Sequence, residues 1–159
     1  NGMYDPNRYA TLLFNNILGG PGMNSLLNMA MRERKGYVYS VDSSVMMYSD
    51  CGLFSIYFGC DPENLKACLR IVDREIETLA NGYLTDKRLA IAKRQYLGQL
   101  LLSSENREVN TTNMGKSILY FNKINSIAEI TEHINALTPT DIRAIASTII
   151  DNKSILTML

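Results

Sequence analysis

Apolar side chains along this sequence follow two periods. Tyr9, Leu12, Leu13 and Ile17 recur every three to four residues, the spacing that lines one face of an α-helix. Asp5 and Pro6 stand ahead of that run as a start signal, and Gly19 behind it as a stop. A second helix is predicted from about Asn24 to Lys35, with Arg32, Arg34 and Lys35 at its negative dipole end and Gly36 as its cap. The period then changes to two. Tyr37, Tyr39, Val41, Val45 and Met47 share one face of a strand that runs from Tyr37 to Tyr48, and by pattern alone this is a core face. The string "SDCG" makes a turn, and Leu53 to Gly59 returns as the second arm of a hairpin.

Helical spacing then resumes. Asp61-Pro62 opens a helix with Leu65, Leu69, Val72, Ile76 and Leu79 on one face and Gly82 at its end. Thr85 caps a long helix through about Leu102, and another helical stretch covers Asn106 to Leu119. Ser126 and Glu129 have the spacing of a capping box over Ile127, Ile130, Ile134 and Leu137. Thr138-Pro139 caps a last helix with Ile142, Ile145 and Ile149 inward, and "SILTML" ends as a short strand. No internal repeat, low-complexity stretch or linker interrupts the series. The expectation is one α+β domain over residues 1–159: an antiparallel sheet with helices packed on one face.

Composition narrows the function classes. A chain of 159 residues is long enough for one hydrophobic core, and its 46% hydrophobic and 20% charged shares are those of a globular protein. Sixteen basic residues balance sixteen acidic ones, so no net field favours nucleic acid or an anionic membrane. No apolar run approaches the ~20 residues that cross a bilayer. The first residue is not methionine, which is expected of a piece of a longer protein. Three cysteines are too few for a disulfide scaffold, and Cys51 and Cys60 stand at opposite ends of one predicted strand, beyond bonding reach. Free, buried thiols are expected. Reduced cysteines point to the cytoplasm, with the periplasm open should a signal precede this sequence.

Candidate chemistry is sparse. His133 is the only histidine, so no two-histidine zinc site can form within the chain. In "EITEH" the first glutamate, Glu129, already serves the capping box, which leaves His133 as a solvated residue on a helix face. The glycines of "GGPG" follow a helix rather than a strand and lack the lysine of a phosphate loop, so they read as a tight turn between helices. No serine has a nucleophile-elbow context. The segment "MRERKGYVYS" admits a structural reading, with cations favouring a helix C-terminus and tyrosines favouring a strand.

That segment also carries a resemblance. From "ILGGPGMNSLL" through "MRERKGYVYSV" the chain resembles the pitrilysin superfamily of zinc metallopeptidases, which includes the mitochondrial processing peptidases, and in particular its second, non-catalytic domain. "LTDKRLAIAKRQYLGQLLLSSEN" and "LTPTDIRAIASTII" are similar to that domain's long and terminal helices, so the resemblance spans nearly the whole chain. It implies a fold that begins with a strand before the first helix, a strand this sequence lacks. It also implies an inactive half that closes a peptide-binding cleft over zinc held elsewhere, by a His-x-x-Glu-His domain of the same chain or a partner subunit. No zinc is expected in this chain, which alone should not hydrolyse peptides. Family members set an arginine and a tyrosine seven positions apart near the scissile carbonyl, and Arg32 and Tyr39 have that spacing. Tyr37 stands where the family more often carries an aliphatic residue and is the alternative phenol. A paralogue without proteolysis, serving only to hold an assembly together, is the competing expectation.

Overall fold

The computed structural model describes residues 2–157. Helix α1 (Arg8–Gly19) is followed by a hairpin of β1 (Val38–Met47) and β2 (Gly52–Cys60). Five helices then follow: α2 (Leu65–Ala80), α3 (Asp86–Ser104), α4 (Arg107–Phe121), α5 (Ile127–Ala136) and α6 (Pro139–Asp151). The strands pair antiparallel, Met47 opposite Gly52 at the turn and Val38 opposite Cys60 at the open end. This is the expected α+β class. No strand precedes α1 among the described residues.

One face of the hairpin is covered. Helix α1 lies against β1, with Phe14 edge-on to Phe54 at 5.5 Å between ring centroids and the Ser43 hydroxyl donating to the Asn15 carbonyl at 3.2 Å. Leu13, Phe14 and Leu18 are fully buried there. The opposite face carries Asp42, Ser44, Met46 and Tyr57, all exposed. Alternation of side chains along the paired strands produces this division.

The glycines of the turn after α1 are explained by close approach. A Cβ on Gly19 would meet the Ser43 Oγ at 2.7 Å, so the end of α1 can touch β1 only without a side chain there. A Cβ on Gly20 would meet the Cα of Asn16 at 2.7 Å and its carbonyl oxygen at 2.8 Å. These are backbone atoms with no freedom to yield. The turn between helices is thus structural.

Local signals place most of the other elements. Capping boxes close at Ser126–Glu129 and Thr138–Asp141, and the Thr85 side chain accepts from the Arg88 N–H. Burial against α6 differs in detail from the helical stripe expected for α2: Cys68, Ile71, Ile76 and Leu79 are its buried residues, and Leu65 and Leu69 are half-buried. Ile142, Ile145 and Ala146 of α6 are buried. Ile127 is exposed rather than inward.

Three expectations need correction. The segment after α1 is not a regular α-helix to Lys35: Asn28–Glu33 is wound as a π-helix, with the Arg34 N–H reaching back to the Met29 carbonyl. The final strand is absent over residues 154–157, which are irregular, and Met158 and Leu159 lie outside the described residues. The cysteines are not uniformly buried, since Cys51 is exposed and Cys60 half-buried.

Gly20→Ala should destabilise the chain by about 1–3 kcal/mol, because the new methyl overlaps backbone. Gly98→Ala, inside α3 with nothing within 4 Å of its added Cβ, should stabilise by about 0.5–1 kcal/mol. Urea unfolding of the two variants checks both, and equal effects would show that Gly20 is not held by contact.

Candidate functional site

The candidate site is built from the end of the π-wound helix and the start of β1. The helix stops at Gly36, whose φ of +62° is the left-handed conformation that glycine adopts without strain. The Gly36 N–H bonds to the Arg32 carbonyl and the Tyr37 N–H to the Met31 carbonyl, both at 2.9 Å. This is a Schellman-like stop in which each bond spans one residue more than in the α-helical form, in keeping with the π winding. The cap fixes the path from Arg32 into β1. Arg32 is exposed, and no carboxylate pairs with it among the described residues.

Between Val38 and Ser40 the strand register slips. Val38 faces Cys60 and Ser40 faces Gly59, so β1 spends two steps where β2 spends one and Tyr39 is the extra residue of a β-bulge. Val38 and Val41 are therefore both buried, three residues apart, while Tyr39 is 74% exposed. The expected core face of Tyr37, Tyr39, Val41, Val45 and Met47 is thus broken, because strict alternation fails at a bulge. The inward residues are Val38, Val41 and Ser43, with Val45 and Met47 half-buried. Tyr37 precedes the strand, half-buried against the core.

The Tyr39 hydroxyl donates to Asp61 Oδ1 at 2.8 Å, reaching from the first residues of β1 to the residue just after β2. That hydrogen bond, followed by the carboxylate's negative charge, raises the Tyr39 pKa above its ordinary 10.0. The phenol therefore stays protonated and able to donate. Sequence reasoning missed Asp61 as a partner, taking it only for a helix start; the bulge that brings Tyr39 to it leaves no local signature.

Two other features bear on function. Beside the glycine turn lies a cleft of about 190 Å³, lined in part by Asn16, Asn24, Tyr83, Arg88 and Gln95. Its amides are mutually engaged: Asn24 and Gln95 exchange hydrogen bonds of 2.7 and 3.0 Å, and the Asn16 amide donates to Gln99 at 2.6 Å. His133 is exposed, as expected, and stacks on Tyr9 with ring centroids 4.5 Å apart. Among the described residues no three of histidine, cysteine, aspartate and glutamate gather as metal ligands would, so the chain's own residues do not fit a zinc ion.

Residues 2–96 match the model of the peptidase M16 inactive domain. The chain belongs to that family. An uncharacterized zinc protease of Streptomyces coelicolor is 34% identical over 155 residues, 98% of this chain and 34% of that protein. The alpha subunit of the mitochondrial-processing peptidase of Neurospora crassa is 31% identical over 138 residues, 83% of this chain and 24% of that protein. In three dimensions, a peptidase M16 inactive domain from Pseudomonas fluorescens superposes with a TM-score of 0.75 at 28% identity, over 92% of this chain and 35% of that one. A conserved protein from Enterococcus faecalis superposes at 0.78 with 25% identity, over 90% of this chain and 33% of that one. The chain spans 34% and 24% of the length of these two curated relatives. Among the described residues, no helix of this M16 inactive domain is long and apolar enough to cross a membrane.

Two outcomes follow for this M16 inactive domain. Chelator-washed chain should hold no stoichiometric zinc by metal analysis; one tightly bound zinc per chain would contradict the donor set described. Tyr39 should ionise above its ordinary 10.0, and Asp61→Asn should bring it back toward that value. The sign follows from linkage: a raised phenol pKa contributes stability below pH 10, and the contribution is lost as pH rises through the folded value. The Tyr39 Cζ resonance followed against pH by NMR reads this directly.

Proposed function

We propose that this chain is the non-catalytic, substrate-binding half of a two-domain zinc peptidase, and that it sets Arg32 and Tyr39 against a carbonyl of the bound peptide. The catalytic His-x-x-Glu-His domain would be the neighbour that supplies zinc, and the peptide would lie between the two halves. The observation that carries the reading is the bulge at Tyr39. It takes an aromatic residue out of the core pattern and exposes it, following a helix end whose exposed Arg32 pairs with no carboxylate among the described residues. Bulges commonly re-aim a side chain in this way next to active sites.

The chemistry available to these residues is donation. A guanidinium and a phenol both give hydrogen bonds to a carbonyl oxygen and strengthen them as negative charge develops there. A phenol has one O–H, however, and here it is given to Asp61. A peptide carbonyl would have to take that proton donor from the carboxylate, so Asp61 holds Tyr39 in readiness and competes with substrate for it. Apolar surface left open on α4, including Ile118 and Leu119, supports a neighbouring domain in the intact protein.

In the full-length protein with its catalytic domain, Tyr39→Phe should lower kcat/KM by ~10²–10³-fold, with the loss mainly in kcat. Arg32→Ala should act in the same direction while leaving folding nearly intact, since a helix-end cation contributes ~0.3–1 kcal/mol. Peptide hydrolysis kinetics check both. Full activity of Tyr39→Phe with loss in Tyr37→Phe would move the donor role to Tyr37. Unchanged activity in all three variants would leave the chain an architectural role.

A further inference from the structure

The cleft of about 190 Å³ beside the glycine turn joins three kinds of surface. One is the closed amide pair of Asn24 and Gln95, which exchange two hydrogen bonds. A Cβ on Gly22 would meet the Asn24 Oδ1 and the Gln95 Nε2, each at 2.6 Å, so the turn and the pair share space that a side chain would take. Each amide in the pair uses one N–H and one carbonyl lone pair and keeps another of each. The second is a cation. Arg88 lies over the Tyr83 ring, with Cζ 4.0 Å from the centroid, and gives one N–H to the Tyr83 carbonyl at 2.9 Å. A guanidinium has five N–H groups, and no carboxylate pairs with Arg88 among the described residues. The third is apolar: Leu84 is buried, and Ile17, Leu26 and Ala92 are half-buried against the core.

We infer that this cleft binds the C-terminal residue of a peptide that ends in an aliphatic side chain. Charge names the first element of the ligand. A guanidinium held by a ring and a carbonyl, with no carboxylate of its own, matches the planar fork of a carboxylate. Volume names the second. An apolar cavity of about 150 Å³ holds one benzene, so a cleft of about 190 Å³ suits one side chain and nothing much larger.

The amide pair names the third element. Its spare N–H and carbonyl complement a peptide group, which presents one acceptor and one donor, whereas the chain of a fatty acid presents neither. An internal aspartate would bring a carboxylate without the apolar group beside it. Only a C-terminal aliphatic residue carries carboxylate, side chain and peptide group on one carbon. The site is apart in sequence from Arg32 and Tyr39, needs no metal, and stands whether or not a neighbouring domain hydrolyses peptides.

The test is titration calorimetry of chelator-treated full-length protein with N-acetyl-alanyl-leucine, which should fill one saturable site per chain. The same dipeptide with an amidated C-terminus should bind ~10-fold or more weakly, because a charged hydrogen bond becomes a neutral one. N-acetyl-alanyl-glycine, which keeps the carboxylate and loses the side chain, should also bind ~10-fold or more weakly. Arg88→Gln should abolish the preference for acid over amide. Arg94→Gln, a charge loss elsewhere on α3, should keep it. Gly22→Ala should weaken acid and amide alike, since its methyl displaces the Asn24–Gln95 pair, while circular dichroism stays native. Equal binding of acid and amide, a preference that survives Arg88→Gln, or no saturable heat from the acid would overturn the proposal. Unchanged binding in Gly22→Ala would overturn the part given to the amide pair.

Discussion

The structure depends on how closely α1 can lie on β1. A two-stranded hairpin by itself is marginal in water, and this one gains its stability from the helix packed on one of its faces. The approach is set where Gly19 meets Ser43, a contact with no room for a side chain. Phe14 and Phe54 fill the space further along, and the hydrogen bond from Ser43 to the Asn15 carbonyl ties a buried hydroxyl at the same interface. The rest is arranged around that pair. Helix α6 packs on α1 and α2, and α3 and α5 pack on α1's remaining surface. The turn that leaves α1 must be equally tight, which is why glycine recurs at position 20 against the backbone of Asn16.

The consequence for the site is geometric. Chain direction is fixed at Gly19 by contact and again at Gly36 by a left-handed cap, so the segment carrying Arg32 is held at both ends. Past the second of these points, one extra residue in β1 turns Tyr39 outward. Neither device needs a metal or a buried charge. A hydrogen-bond donor aimed at a developing charge is effective to the extent that its backbone is already fixed. A cap and a bulge are two inexpensive ways of fixing it. They also leave both side chains exposed, with no carboxylate paired to Arg32 among the described residues and the Tyr39 hydroxyl given to Asp61.

What the sequence disclosed and what it hid divide by range. Signals within four residues were legible: the Ser126–Glu129 capping box, the Thr85 and Thr138 caps, the Gly36 stop and the hairpin with its turn. Each is a side chain or a backbone preference acting on its own neighbourhood. The bulge was hidden because period-two reading assumes an unbroken ladder, and an inserted residue changes every assignment on its N-terminal side. Tyr39 was consequently grouped with core residues by pattern, while family spacing singled it out. The π winding was hidden for a similar reason, since a run of helix formers does not say how many residues each turn takes. The Tyr39–Asp61 hydrogen bond joins residues across a strand pair, and only the folded register brings them together.

The division of roles within the peptidase M16 inactive domain then has a physical basis. The one histidine stacks on Tyr9, and the described residues hold no donor set for a hydrolytic metal. Its charge is balanced and its core apolar, and Arg32 and Tyr39 are exposed. On the proposed reading such a surface would act on what a neighbour holds against it, with the helix end and the bulge serving geometry outside this chain. A phenol that already has an acceptor in Asp61 is suited to that situation. Its proton is engaged by Asp61, and under the proposed role an arriving acceptor would replace one hydrogen bond by another instead of ordering a loose side chain. On the proposed reading, the exchange would become more favourable as negative charge builds on the carbonyl than on first binding.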